Sequence, residues 1–273
     1  MKLRKLAALY TTRKKKYKKY GKENYAMNNY LQTKKTDTFT HISTSVAFCQ
    51  GVLDTNIKLE EIRQFGDFGF GSTAGLQEAF IMLDNEIYFS EQIDSNRTLN
   101  LSLLTFFKPN PNKHVAINSH MNKKQLGEYF QSIIPTKNIT YAVRLDGSFE
   151  FVELSRFPSF KKPYPKLTPE DIDRSKKTEL RNITGTLVGF WLPDYAKKVN
   201  SGANKLHLHF ISSDKKFFGH VTDCEIINGN MAVDYKHSLN VVLPKNNDFY
   251  TADLDNIDDR MVRGVSTWTQ KDI

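Results

Sequence analysis

Hydrophobic positions along the chain fall into two rhythms. A period near 3.6 predicts helices at 43–53 (STSVAFCQGVL), 56–65 (NIKLEEIRQF) and 121–134 (MNKKQLGEYFQSII). In the third, Leu126, Tyr129, Phe130 and Ile133 share one stripe, which makes that stripe a core face. A fourth helix is expected to start at Thr168, with Pro169 at the first helical position and Asp171 three residues beyond the cap. Alternation with period two marks strands elsewhere. AFIMLDNEIYF (79–89) reads as two short strands around Asp84-Asn85, and TYAVRLDGSFEFVEL (140–154) as a hairpin turning at Asp146-Gly147. Strands at 187–193 (LVGFWLP), 205–212 (KLHLHFIS) and 217–227 (FFGHVTDCEII) follow, then a turn at Asn228-Gly229 and a last strand at 231–236.

Strands joined mainly by hairpins, with a few helices between them, define the α+β class, with two packed halves on mixed or antiparallel sheets. The Pro- and Lys-rich stretch FPSFKKPYPKLTPED (157–171) is the expected boundary, giving an N-terminal half at 39–160 and a C-terminal half at 161–273.

Charge changes the picture at one end. Residues 1–38 hold 12 Lys or Arg against two acids, Glu23 and Asp37, whereas the remainder holds 27 against 28. The net charge of +9 therefore belongs to a basic extension at 1–38, expected to be solvated and disordered. Tyr10, Tyr17 and Tyr20 are interleaved with its lysines, a pattern that would stack on single-stranded nucleic acid. A charge-only tail accounts for it more simply, so no nucleic-acid partner is expected. No apolar run approaches the ~18 residues that cross a bilayer, so no membrane span is expected. Cys49 and Cys224 are far apart and form no CxxC, which suits buried thiols of a reducing compartment rather than a disulfide scaffold. The expected location is cytoplasmic, with an organelle address in the basic extension left open.

The densest chemistry lies in HLHFISSDKKFFGH (207–220). His207 and His209 project to one face because side chains alternate along a strand. If the four-residue turn Ser213–Lys216 is closed by a Ser212–Phe217 pair, His209 falls opposite His220, with Cβ atoms about 5 Å apart. Three imidazoles then converge and leave further coordination positions open, the pattern of a catalytic rather than a structural zinc site. Zn²⁺ is expected ahead of Fe²⁺, Mn²⁺, Ni²⁺ or Cu²⁺. His41, His114, His120 and His237 fall outside this pattern. A cupin would also place HxH on a strand, but it needs a nearby glutamate, and the nearest acid here is Asp214 in the turn.

GDFGFG (66–71), YAVRLDGSF (141–149), GTLVGFWLPDY (185–195), HLHFISSD (207–214) and GHVTD (219–223), with KPYPKL (162–167) and FYTADL (249–254), occur in the order found in one family. Over residues 40–256 the sequence resembles the alpha-acetolactate decarboxylases. The resemblance implies zinc held by His207, His209 and His220, and a zinc-dependent lyase that converts 2-acetolactate to acetoin and CO₂. It implies a catalytic role for Arg144 in YAVRLDG, and it leaves a homodimer open. Two family glutamates are displaced. Where the family reads LDGEL this chain reads LQEAF, so Ala79 takes the aligned place and the candidate catalytic carboxylate is Glu78, one residue early. On a strand that shift turns it to the opposite side unless a bulge restores it. The C-terminal stretch DNIDDRMVRGVSTWTQKDI offers only Asp255, Asp258, Asp259 and Asp272. A metal-binding relative with lost or altered catalysis is the alternative, and a metal-dependent isomerase or oxygenase of a related 2-hydroxy-3-oxo acid is a second one.

Overall fold

The structure, a computed structural model, describes residues 34–89, 94, 96–111, 114–200 and 205–256. The basic run before residue 34 and the aspartates at 258, 259 and 272 lie outside the described residues. The chain divides into two compact units, 1–37 and 38–273, and every strand among the described residues belongs to the second.

The strands are β1 (Thr38–Ile42), β2 (Phe68–Thr73), β3 (Ala79–Leu83), β4 (Glu86–Tyr88), β5 (Leu99–Thr105), β6 (His114–Ile117), β7 (Met121–Asn122), β8 (Thr140–Arg156), β9 (Lys176–Trp191), β10 (Leu206–Ser212), β11 (Phe218–Lys236) and β12 (Ser238–Val242). They form two six-stranded sheets, as the α+β reading expects. The first runs β12-β1-β5-β2-β3-β4 and is mixed, because β1 and β12 are parallel. The second runs β10-β9-β8-β11-β6 with β7 also paired to β11, and β10 pairs with β11 as well, so β9, β8, β11 and β10 close into a ring.

Helices are short where sequence periodicity predicts longer ones. The first covers only Ser45–Cys49, ending before Gly51 at φ +82, and 56–65 contains a 3₁₀ helix at Leu59–Gln64. The helix Lys123–Ile133 forms as expected, with Leu126 and Phe130 buried and Asn122 capping the N–H of Gln125. Pro169–Asp173 is helical, and Thr168 and Asp171 exchange backbone and side-chain bonds across its first turn.

Two expected hairpins are absent. Asp146-Gly147 and Asn228-Gly229 lie inside the continuous strands β8 and β11, and Gly147 pairs with Gly185 on one side and Gly229 on the other. A Cβ on Gly147 would meet Asn228 O at 2.4 Å, and one on Gly185 would meet Ile211 O at 2.4 Å. Glycine here permits backbones to approach one another, a role that shares its local signature with a two-residue turn. Ring closure explains the need. Four cross-strand steps, Arg144–Val188–His209–His220–Ser155, return to β8 eleven residues on. Four interstrand steps span roughly 19 Å while eleven extended residues would span roughly 36 Å, so β8 must bend strongly.

A change of parity accompanies the bend. Tyr141, Val143, Leu145 and Phe149 enter the core enclosed by the second sheet, but beyond Glu150, which both neighbouring ladders skip, Val152 and Leu154 do so. That core is shared with Leu208, Phe210, Trp191 and the helix residues Leu126 and Phe130. The opposite face of the second sheet packs on the first: Ala142, Val188, Phe190 and Ile211 meet Phe39, Phe68, Phe70 and Leu103. Each fully buried Phe or Leu contributes about 1.5–3 kcal/mol of transfer free energy, so this seam holds the two sheets together. The expected boundary near 160 falls in the loop between β8 and β9, two strands that pair along most of their length. Both cysteines are buried and free, and burial pushes their thiols up to about 12.

His41 is fully buried on β1, its Nδ1 donating to Ser43 O at 3.0 Å and its Nε2 accepting from Asn200 Nδ2 at 2.9 Å. A carbonyl only accepts and an amide nitrogen only donates, so the ring is neutral, and burial lowers its pKa to about 4. The folded state thus binds fewer protons than the unfolded state between pH 4 and 6.5. The stability His41 provides is complete above pH 6.5 and declines as pH falls toward 4, by about 3 kcal/mol in all. Denaturant titrations of the wild type and His41→Gln across that window should differ in slope by about one bound proton; parallel pH profiles would contradict this.

Candidate metal centre and cavity

β10 and β11 meet in the register expected from the turn. Ser212 N–H donates to Phe217 O at 2.8 Å, and His209 lies opposite His220. Alternation does the rest: Leu208 and Phe210 point into the enclosed core while His207, His209 and Ile211 face the first sheet. The rings of His207 and His220 are 4.9 Å apart, and those of His209 and His220 are 5.3 Å apart. Each residue offers one ligand nitrogen within 4.8 Å of the other two.

The closest pair is His207 Nε2 and His220 Nδ1, at 3.1 Å. Two nitrogens bound to one ion at about 2.0–2.1 Å, separated by roughly 90–110° at the metal, would stand about this far apart. Burial lowers the His207 pKa to about 3 and depresses those of His209 and His220 well below the usual imidazole range, with the Lys123 ammonium adding to the effect at His207 and His220. All three rings are neutral at pH 7 and present lone pairs, as ligation requires. The Nδ1 atoms of His207 and His209 are buried and lack hydrogen-bond partners among the described residues. The donor set therefore fits a divalent ion.

These rings open into a cavity of ≈150 Å³ between the sheets. Phe48, Phe70, Leu76, Leu101, Phe157 and Phe218 give it apolar walls, and Ser72, Ser155, Glu78 and Arg156 give it polar ones. Ser155 lies beside His220 on the same face of the sheet because the two residues pair beyond the parity change in β8. Arg156, the last residue of that strand, donates to Glu78 Oε1 at 2.7 Å and to Gln77 O at 3.0 Å.

Glu78 lies where a strand argument does not apply. It precedes β3, in a turn closed by Thr73 N–H donating to Glu78 O at 2.8 Å and Glu78 N–H donating to Thr73 Oγ1 at 3.0 Å. The one-residue displacement from Ala79 therefore does not turn its carboxylate away, and both residues line the cavity.

Arg144 is placed differently from the expectation. It is absent from the cavity wall, its Nε donating to Asp146 Oδ2 at 2.7 Å and its Nη1 to Asp84 Oδ1 at 2.8 Å. It bridges the second sheet to the β3–β4 turn of the first, where Asp84 and Asn85 adopt φ of 53° and 67°. Arg156 is the arginine that sequence reasoning misses. The expected strand ends at residue 154 and the expected linker starts at residue 157, so Arg156 belongs to neither.

The class is thus an α+β protein with a three-histidine centre set in a cavity between two sheets. The family model for alpha-acetolactate decarboxylase matches residues 39–256. A curated alpha-acetolactate decarboxylase of Methanosarcina mazei is 31% identical over 225 residues, covering 80% of this chain and 76% of that protein. That of Bacillus licheniformis is 30% identical, covering 82% and 89%. The crystal structure of the alpha-acetolactate decarboxylase of Bacillus subtilis strain 168 superposes with a TM-score of 0.77 at 29% identity, covering 84% of this chain and 99% of that one. The chain belongs to the alpha-acetolactate decarboxylase family, a family of lyases.

Arg144 pairs with carboxylates that are 69% and 48% exposed, so its loss should cost only roughly 1 kcal/mol after solvent screening. Arg144→Ala is expected to melt slightly earlier than wild type and to bind metal unchanged. Loss of metal binding in that variant, read by zinc titration, would contradict its placement.

Proposed function

We propose that this chain decarboxylates 2-acetolactate to acetoin and CO₂ with a divalent ion, Zn²⁺ first among candidates, held by His207, His209 and His220. The observation that carries this reading is the 3.1 Å approach of two neutral imidazole nitrogens beside a third ring, in a cavity whose lining includes an arginine. When bound, such an ion supplies a Lewis acid for the charge that develops on oxygen as CO₂ departs.

The chain's own residues supply the rest. Arg156 offers a guanidinium to the substrate carboxylate, and Glu78 fixes its orientation through the 2.7 Å contact. The apolar walls limit water and so strengthen these electrostatic contacts. When the bond between the carboxyl carbon and its neighbour breaks, the electron pair passes to the adjacent carbonyl oxygen. A proton must then be added at carbon. Glu78 is the carboxylate lining the cavity among the described residues, which makes it the group placed to handle that proton.

Incubation with racemic acetolactate should yield acetoin, and a chelator should abolish the product. His209→Ala is expected to lose both tight zinc binding and product formation. Arg156→Ala should keep zinc and lose about 10²-fold in turnover, the scale of removing one charge-stabilising donor. A metal-loaded wild type that binds acetolactate without releasing acetoin would favour the alternative of altered catalysis. Faster turnover in Ala79→Glu would locate that alteration in the displaced carboxylate.

A further inference from the structure

We propose that Phe70 is a positioning residue for the metal centre: its ring, from the opposite sheet, sets the plane of His209 and braces His207. The inference rests on the reading of the three histidines as ligands. An imidazole on a strand can rotate about its side-chain bonds, and ligation needs one lone pair aimed at the ion. Metal-binding histidines are usually oriented by a hydrogen bond from the second ring nitrogen to a carboxylate or carbonyl. The Nδ1 of His209 is buried and has no such partner among the described residues, and neither has the Nδ1 of His207.

What lies against these rings instead is apolar. Phe70 stacks on His209 with centroids 3.8 Å apart and planes 12° from parallel, and it meets the His207 ring edge-on at 4.9 Å and 60°. Phe70 is itself fixed. It is 1% exposed, sits in the middle of β2, and packs on Phe190 at 5.5 Å. One rigid ring therefore touches two of the three ligands, and whichever nitrogen of His209 binds, its plane is set by this contact. Because β2 belongs to the first sheet and both histidines to the second, the metal centre is complete only when the sheets are docked.

The test compares wild type, Phe70→Leu, Phe70→Tyr and Phe39→Leu, with zinc affinity read by competition against a chromophoric chelator and geometry by the visible spectrum of the Co²⁺-loaded protein. Phe70→Leu should weaken zinc binding about tenfold or more, the usual cost of removing a group that orients a ligand, and should alter the Co²⁺ bands. Phe70→Tyr keeps the stack and should restore both. Phe39→Leu loosens the same core and should lower the melting temperature with the Co²⁺ spectrum intact. Zinc affinity and spectrum unchanged in Phe70→Leu would overturn the proposal, as would equal spectral changes in Phe70→Leu and Phe39→Leu. If Phe70→Leu fails to fold, restoration or loss of the wild-type spectrum in Phe70→Tyr decides the question. Full zinc affinity in His209→Ala would overturn the ligand reading itself, a separate outcome.

Discussion

The structure depends on one constraint: β10 must pair with β9 and β11 at once. That double pairing closes the second sheet into a ring and brings His209 opposite His220. It also obliges β8 to bend, which the glycine row at Gly147, Gly185 and Gly229 permits. The bend and the parity change beyond Glu150 bring Ser155 beside His220, and both Ser155 and Arg156 line the cavity. Ring closure thus links the fold to the site.

Three neutral imidazoles gathered in a half-buried wall are a costly arrangement in isolation. Each ring nitrogen removed from water without a partner forfeits its hydration, roughly 1–3 kcal/mol apiece. Docking of the first sheet offsets that cost through the apolar seam of Phe39, Phe68, Phe70, Val188, Phe190 and Ile211. The same seam gives the cavity low-polarity surroundings, in which charged groups act strongly on one another. Stability and chemistry draw on the same packing. The Arg144 bridge to Asp84 and Asp146 fastens the β3–β4 turn outside that seam, which is why its charge serves the fold rather than the cavity.

Much of the site is legible in the sequence because it follows from local rules. Alternation places His207 and His209 together, and a four-residue turn fixes His220 against them without any long-range information. The capped helices at Lys123 and Pro169 and the Asp84-Asn85 turn are readable for the same reason. Long-range pairing defeats the rest. Asp146-Gly147 and Asn228-Gly229 carry the residues of a tight turn, yet tertiary pairing carries both strands through them without reversal. Arg156 falls between the expected strand and the expected linker, and only the long continuous strand brings it to the cavity. Glu78 reads as a strand residue facing the wrong way, whereas a turn closed by Thr73 holds its carboxylate at the cavity. Phe70 belongs to GDFGFG, whose local pattern says nothing of the histidine rings it meets on the other sheet.

The central claim is that three imidazoles share one ion, and X-ray absorption at the zinc edge of the metal-loaded protein tests it most directly. The account predicts a first shell containing three imidazole nitrogens at about 2.0–2.1 Å, falling to two in His209→Ala. A shell of sulfur or of oxygen alone, or one indifferent to that substitution, would contradict it.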